Sequence, residues 1–162
     1  MERRQDGFLV SDDPSLVDLD VVHGYLSRSY WAANIPREML ARAIEHSLCF
    51  GVYEEASGRQ VGFARVVTDR ATYGYLADVF VLEEYRGRGL SKLLMSTIMD
   101  HPGLQTLRTF TLATRDAHGL YKQFGFTPLE HPDRFMVRRN PAVYRGGRYV
   151  QPEEDPRSSG EG

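Results

Sequence analysis

A glycine-rich turn between an apolar strand and an amphipathic helix constrains the fold of this chain more than any other segment. Residues 73–82 are apolar on both faces, which is typical of a strand in the centre of a sheet. Gly87 and Gly89 follow, and the apolar residues between Leu90 and Ile98 then recur three and four positions apart, which is helical spacing. A buried strand that turns tightly into a helix predicts an α/β fold.

Apolar patterns place further strands and helices on both sides of this turn. Strand patterns bounded by turn residues lie at 8–10, 48–53, 60–68, 106–113 and 135–137. Helical spacing covers 18–29, 36–44 and 117–124. The order is strand, two helices, three strands, helix, strand, helix, strand. It predicts a single α/β domain built on an open, mixed sheet flanked by helices.

Composition separates a folded part from a tail and excludes several classes of protein. The 162 residues suit one core, and we expect 1–140 to fold and 141–162, rich in Pro, Gly and Ser, to form a partly disordered tail. The formal net charge is −2, and Cys49 is the single cysteine. No apolar run is long enough for a membrane span or a secretory signal. We therefore predict a cytoplasmic protein without nucleic-acid or membrane partners.

The glycine turn has the chemistry of an anion-binding site. Glycine lets a backbone approach a ligand closely, and the first amides of a helix point outward without internal partners. Together with the guanidinium groups of Arg86 and Arg88, such amides suit a pyrophosphate. An ordinary strand-to-helix turn is the alternative. The turn is not a P-loop, because no Gly-Lys-Ser/Thr follows, and Lys92 replaces the third glycine of a dinucleotide fingerprint.

Two motifs resemble those of the GCN5-related N-acetyltransferase (GNAT) superfamily. Residues 85–91 are similar to the family's acetyl-coenzyme A signature, Arg/Gln-x-x-Gly-x-Gly/Ala: Arg86 and Gly89 match, and Ser91 departs from the final position. Residues 117–126, Ala-His-Gly-Leu-Tyr-Lys-Gln-Phe-Gly-Phe, resemble the family's Ala-x-x-Leu-Tyr-x-x-x-Gly-Phe helix. Because the two motifs also lie at the expected separation, the chain is identified as a member over roughly residues 48 to 138.

The resemblance implies a mostly antiparallel GNAT-like sheet and a transfer of acetyl from acetyl-coenzyme A to a primary amine, without a metal. It also implies residues that contact the acyl donor through backbone and side chain: Val79, Val81, Arg86, Gly87, Arg88, Gly89, Leu90, Ser91 and Thr114. For Thr114, capping of the following helix is an alternative role. The implied partners are acetyl-coenzyme A and the amine, in a monomer or a homodimer.

Two residues are the candidates for catalysis. By resemblance, Tyr121 takes the position of the general acid that protonates the coenzyme A thiolate, and its alternative is a core tyrosine on an apolar stripe. Asp78 interrupts an otherwise apolar strand, and a buried carboxylate is costly unless it is paired or functional. It could act as a base or orient the acceptor, and a structural pair with an arginine such as Arg65 is the alternative.

Acceptor specificity in the family lies in the loop between the first two helices and in the loops at strand ends. In this chain those positions hold Tyr30 and Trp31, with Tyr75 on the central strand. Aromatic rings can stack on a flat acceptor or surround an ammonium group, and they can equally anchor a core. The rival functions are a non-catalytic acyl-coenzyme A sensor and an unrelated nucleotide-binding module.

Overall fold

A computed structural model describes residues 1–145. The chain divides into two compact units, Met1–Pro128 and Leu129–Gly162, of which the second is described as far as Arg145. In the second unit the described residues form short 3₁₀ turns at Pro132–Arg134 and Val143–Arg145. The predicted tail lies outside the described residues from 146 onward.

The first unit is built on a six-stranded sheet in which the strands follow one another in chain order. Their bounds are β1 Glu2–Gln5, β2 Phe8–Ser11, β3 Leu48–Glu54, β4 Gln60–Thr68, β5 Tyr73–Val81 and β6 Thr109–Leu112. The first five strands pair antiparallel, and β6 joins β5 in parallel. This confirms the predicted mixed, mostly antiparallel α/β sheet.

The first unit has four α-helices: α1 Leu19–Leu26 and α2 Arg37–Glu45 connect β2 to β3, α3 Leu90–Met99 connects β5 to β6, and α4 His118–Lys122 follows β6. The start of α1 follows from its sequence, because the Asp18 carboxylate accepts hydrogen bonds from two amides of the first turn. Pro36 precedes α2, where a residue without an amide proton costs no hydrogen bond. No helix among residues 1–145 combines the length and the apolarity that a membrane span requires.

The main core lies between the sheet and α3. Leu94, Met95 and Ile98 are fully buried there and pack in one cluster with strand residues such as Phe50 and Val52. The cluster gives the molecule a dry layer because the apolar stripe of α3 matches the alternate residues of the strands. A second apolar layer forms where the Tyr25 ring of α1 stacks on Phe80 of β5, with centroids 4.0 Å apart.

Two strands differ from the sequence prediction. Strand β1 went unpredicted because its residues are polar and exposed, and Asp6 and Gly7 form the turn of its hairpin with positive φ angles of 50° and 81°. The predicted strand at 135–137 is absent. Its apolar residues have no strand partner within the described part of the chain, and Met136 is 98% exposed. The strand prediction rested on apolar content alone, and no neighbouring strand among the described residues supplies the hydrogen bonds that a strand here would need.

Two buried hydroxyl groups provide a test of the packing. The Tyr53 hydroxyl is buried and has no hydrogen-bond partner among residues 1–145, and burial raises the pKa of this phenol. The Ser29 hydroxyl, also buried, donates to the Leu26 carbonyl at 2.7 Å and accepts from the Ala32 amide at 3.1 Å. A buried polar group stabilises a fold only when it is hydrogen-bonded.

The substitutions Tyr53→Phe and Ser29→Ala should therefore have different effects. Tyr53→Phe is expected to leave the free energy of unfolding unchanged or to raise it, because it removes an unpaired hydroxyl. Ser29→Ala should lower that free energy by about 1–3 kcal/mol, because it breaks two bonds and leaves a buried amide unpaired. Urea unfolding at constant m-value measures both. An equal loss in the two variants would show that the Tyr53 hydroxyl has a partner.

Candidate functional site

Strands β5 and β6 separate part of the way along their length. Their parallel pairing begins at Tyr73 and Thr109 and ends at Leu76 and Leu112, where β6 stops. Strand β5 continues to Val81 and stays paired with β4 on its other side. Beyond Leu76, one edge of β5 therefore has no strand neighbour among the described residues, and backbone groups on that edge can bind an extended ligand.

The register of the ladder identifies which backbone groups point to this free edge. The Leu82 amide donates to the Val61 carbonyl at 2.8 Å, so Leu82 directs its backbone toward β4. Successive residues of a strand direct their amides and carbonyls to opposite sides. Phe80 therefore also faces β4, and the amides and carbonyls of Val79 and Val81 face the free edge, as the predicted donor-binding role of these two residues requires.

A β-bulge lies beside the free edge. The pairing of β4 and β5 shifts between Phe63 and Arg65, so that Ala64 alone lies opposite Asp78 and Val79. Asp78 has a φ of 56°, in the left-handed region where aspartate is tolerated better than most residues. The bulge turns the Asp78 side chain toward Arg65 rather than into the main core. Apart from the charge of Asp78, no local pattern predicts this conformation.

The turn after β5 exposes the first amides of α3. Gly87 and Gly89 have φ angles of 76° and 75°, and a Cβ atom added at either would meet nothing within 4 Å. Gly89 caps the helix, and no side chain bonds to the amides of the first turn. The amides of Leu90, Ser91 and Lys92 therefore lack intrahelical partners, as the amides of an anion site do.

The two arginines of the turn differ in their contacts. Arg86 donates from Nε to the Val81 carbonyl at 3.3 Å and from Nη2 to the Tyr25 hydroxyl at 3.1 Å, so it ties the turn to β5 and α1. Arg88 is exposed, and its guanidinium lies 5.2 Å from the centre of the Tyr85 ring. Arg88 is therefore the freer of the two to meet a phosphate. The tether formed by Arg86 was not anticipated from the motif.

Tyr121 lies in α4, is 8% exposed, and packs edge-on against Phe126. Within residues 1–145 no group forms a hydrogen bond with its hydroxyl. Burial raises the pKa of this phenol, and the neighbouring Tyr30 hydroxyl raises it further. Since a raised pKa favours the protonated form, Tyr121 holds a proton that it can donate at neutral pH. The predicted general acid and core interpretations both agree with this burial.

Asp78 connects three elements through its carboxylate. Oδ2 accepts from Arg65 Nε at 2.8 Å, and Oδ1 accepts from Trp31 Nε1 at 3.0 Å. Arg65 in turn donates to the Ser47 hydroxyl at 3.1 Å. Both carboxylate oxygens are thus engaged, and the pair with Arg65 corresponds to the structural alternative considered for this residue. Its role in the reaction stays a prediction.

The aromatic candidates lie next to this carboxylate. Tyr30 and Trp31 contact each other edge-on with ring centroids 5.1 Å apart, and both are exposed. The Arg115 guanidinium lies 3.9 Å from the centre of the Tyr30 ring, a cation–π contact that the sequence did not indicate. Tyr75, 38% exposed, is paired across the sheet with Val67 on β4 and with Thr111 on β6. These rings are thus surface groups rather than core anchors.

Two further residues, Thr114 and Cys49, have local contacts within the fold. The Thr114 hydroxyl accepts from the Ala117 amide at 3.0 Å, which orders the turn that leads into α4. Cys49 is buried, and that burial raises the pKa of its thiol to about 12, so it is not a reactive thiolate at neutral pH. Among residues 1–145, no cluster of three His, Cys, Asp or Glu side chains has metal-binding geometry.

Known proteins with similar sequences include acetyltransferases. A family model described as an acetyltransferase (GNAT) domain matches residues 45–128. A proposed acetyltransferase from Gibberella zeae is 32% identical over 133 residues, which cover 70% of this chain and 75% of that protein. Uncharacterised N-acetyltransferases of red algae also match, among them one from Gracilaria tenuistipitata that is 33% identical over 45% of this chain and 40% of its own length.

Solved structures extend the comparison to nearly whole chains. A proposed GNAT-family acetyltransferase from Xanthomonas campestris pv. campestris has a TM-score of 0.82 and 53% identity, covering 87% of this chain and 99% of that one. Glucosamine-6-phosphate N-acetyltransferase from Arabidopsis thaliana, at 17% identity and a TM-score of 0.59, covers 82% of this chain and 97% of its own, and shares the fold alone. The family model, the fungal relative and the bacterial structure agree with the two sequence motifs: the chain belongs to the GNAT family of acetyltransferases.

Proposed function

We propose that this protein transfers an acetyl group from acetyl-coenzyme A to a primary amine. The observation that carries the proposal is the continuity of two features, the free edge of β5 and the uncapped start of α3. The edge carries the backbone groups of Val79 and Val81, and the Arg86 tether holds it to the turn that exposes the helix amides. An extended arm that ends in a pyrophosphate fits such a surface.

The residues present suit coenzyme A in charge and in shape. The open space at Gly87 and Gly89 admits a phosphate against the backbone, and the amides of α3 and the Arg88 guanidinium supply donors. The amide and carbonyl of Val79 and the amide of Val81 would bind the amide groups of the pantetheine arm as a neighbouring strand does. The Val81 carbonyl already accepts from Arg86 Nε. When bound, acetyl-coenzyme A supplies an acetyl group activated as a thioester.

Tyr121 is the proposed general acid. Its hydroxyl donates a proton to the departing sulfur as the bond from the amine nitrogen to the acetyl carbon forms and the carbon–sulfur bond breaks. The proton released by the amine passes to water, and Tyr121 regains a proton from water. The raised pKa of Tyr121 supports this role, since the group stays protonated until it is needed.

The acceptor is proposed to approach from the surface of Tyr30, Trp31 and Tyr75. Trp31 bonds to Asp78 of the Arg65–Asp78 ion pair, Tyr30 contacts Trp31, and Tyr75 is exposed on the same strand as Asp78. The acceptor side therefore offers aromatic area together with a carboxylate whose charge is compensated. A thiol-release assay with acetyl-coenzyme A across a panel of amines, amino acids, polyamines and amino sugars tests the function. Coenzyme A binding without turnover of any amine would support the acyl-coenzyme A sensor instead.

The substitution Gly89→Ala tests the donor site against a matched control. Gly58 has nearly the same conformation, with a φ of 71° and equally open space, but lies in the turn between β3 and β4. Alanine in the left-handed region should cost about 1–2 kcal/mol of stability at either position. Only Gly89→Ala should also weaken coenzyme A binding, by about 10-fold or more, because it displaces amides that bind the anion.

Thermal shifts at several coenzyme A concentrations measure this difference. Saturation at 100 times Kd stabilises a protein by about 2.7 kcal/mol, so a 10-fold weaker Kd is readily resolved. If Gly89→Ala and Gly58→Ala respond equally to coenzyme A, the pyrophosphate does not bind at this turn.

The substitution Tyr121→Phe tests the general acid. It keeps the ring and its packing and removes the hydroxyl proton, so the single-turnover rate should fall by about 100- to 10,000-fold while coenzyme A affinity is retained. The control is Tyr53→Phe, which deletes a buried hydroxyl outside the site.

Because the pKa of Tyr121 is raised, its deprotonation should not reduce the wild-type rate below about pH 10. A Tyr121→Phe variant that turns over at the wild-type rate would contradict the assignment.

A further inference from the structure

An aspartate at position 78 costs stability in two ways, and the backbone conformation there does not by itself require an aspartate. Its φ of 56° lies in the left-handed region, where a residue other than glycine is disfavoured. Its side chain is 9% exposed, and a buried carboxylate carries a desolvation cost. Glycine would satisfy the bulge without either cost. The use of the side chain must therefore lie in what the carboxylate holds.

The carboxylate holds the α1–α2 loop, residues 27–36, to the bulge of β5. One oxygen is fixed by Arg65, which neutralises the charge, and the other accepts the indole N–H of Trp31. Trp31 is 41% exposed, so packing alone does not immobilise it. Its neighbour Tyr30 contacts it edge-on at 5.1 Å. The hydrogen bond to Asp78 is thus the hydrogen bond that orients the Trp31 ring, which also contacts the Tyr25 ring at 6.4 Å, while Arg115 additionally contacts Tyr30.

The bulge places this contact next to the proposed donor edge. Asp78 directly precedes Val79, whose amide and carbonyl face the free edge of β5. Tyr30, on the other side of the contact, lies near enough to Tyr121 to raise its pKa. The Trp31–Asp78 hydrogen bond therefore links the aromatic acceptor surface with the strand that would hold the thioester.

We infer that Asp78 is a positioning residue. Its hydrogen bond to Trp31, called the latch below, fastens the α1–α2 loop to β5 so that the acceptor surface is held over the donor edge. This inference rests on the proposed function and names a specificity device within that site. In this inference Asp78 orients the acceptor surface rather than taking a proton from the amine, because each of its oxygens already accepts a hydrogen bond, one from Trp31 and one from Arg65.

The substitution Asp78→Asn should open the latch while preserving the bulge. Asparagine tolerates the left-handed region as aspartate does, but it has only one side-chain oxygen. The charged Arg65 Nε competes best for that oxygen, which leaves the amide NH₂ facing the Trp31 N–H, donor against donor. Trp31→Phe removes the same hydrogen bond from the other side and leaves the Arg65–Asp78 ion pair intact.

Kinetics of the two variants and their combination distinguish a latch from a base. For the most active amine of the panel, each single variant should raise the acceptor KM by about 10-fold, the size of one hydrogen bond to a charged group. The single-turnover rate at saturating acceptor should change less than KM. The double variant should be no worse than either single one, because both remove one interaction. Multiplying effects, or a 100-fold slower single turnover confined to Asp78→Asn, would overturn the latch.

A fluorescence measurement tests the latch without any turnover. Trp31 is the only tryptophan of the chain, so acrylamide quenching of its emission reports its accessibility. Asp78→Asn should increase that quenching. Asp100→Asn should not, although Asp100 also pairs with an arginine, Arg3, at 2.8 Å. Unchanged quenching in Asp78→Asn overturns the latch even if the enzyme is active. Increased quenching without acetyl transfer upholds the latch and rejects only the proposed function.

Discussion

Strand β5 loses its neighbour β6 at Leu76, and the rest of the site depends on that separation. A strand edge inside a sheet presents amides and carbonyls that need partners. Here the groups of Val79 and Val81 on that edge lie between the sheet and the turn into α3. An extended ligand that completes the edge satisfies these groups, and the same ligand then reaches the amides at the start of α3. Under the proposed function, one feature of strand pairing thus sets both the direction of the bound ligand and the backbone groups that it meets.

The two faces of the sheet differ in polarity beside the bulge in β5. Ala64 and the residues in register with it contribute to the core against α3, whereas Arg65 and Asp78 lie on the side of α1 and its following loop. The core can therefore be dry and closely packed while the opposite face keeps an ion pair and exposed rings. The extra residue of the bulge shifts the side-chain alternation of β5, which brings Asp78 beside Arg65.

Local patterns predicted most of the fold and the turn that precedes α3. Helical spacing identified α3, and the glycines before it predicted exposed helix amides, because both depend on residues adjacent in sequence. The parts that sequence could not supply depend on distant pairings. Strand β1 needed its turn at Asp6 and Gly7, and the engagement of Asp78 by both Arg65 and Trp31 needed the register of β4 and β5. No spacing rule relates residues 31, 65 and 78.

The apolar residues 135–137 show that a local pattern can also predict an element that does not form. Their composition favours a strand, yet a strand forms only where a neighbour offers hydrogen bonds, and none does so within residues 1–145.

Tyr121 illustrates a third case. Its position followed from a motif, but its raised pKa depends on burial in the folded unit and on Tyr30, which lies far away in sequence.

Hydrogen–deuterium exchange of single backbone amides, with and without coenzyme A, tests the central claim most directly. If the ligand completes the free edge of β5, the amides of Val79 and Val81 should become protected together with those of Leu90 and Ser91 at the start of α3. The amide of Leu82, already bonded to the Val61 carbonyl, should change little. Protection elsewhere on the molecule, with these four amides unaffected by saturating coenzyme A, would contradict the account.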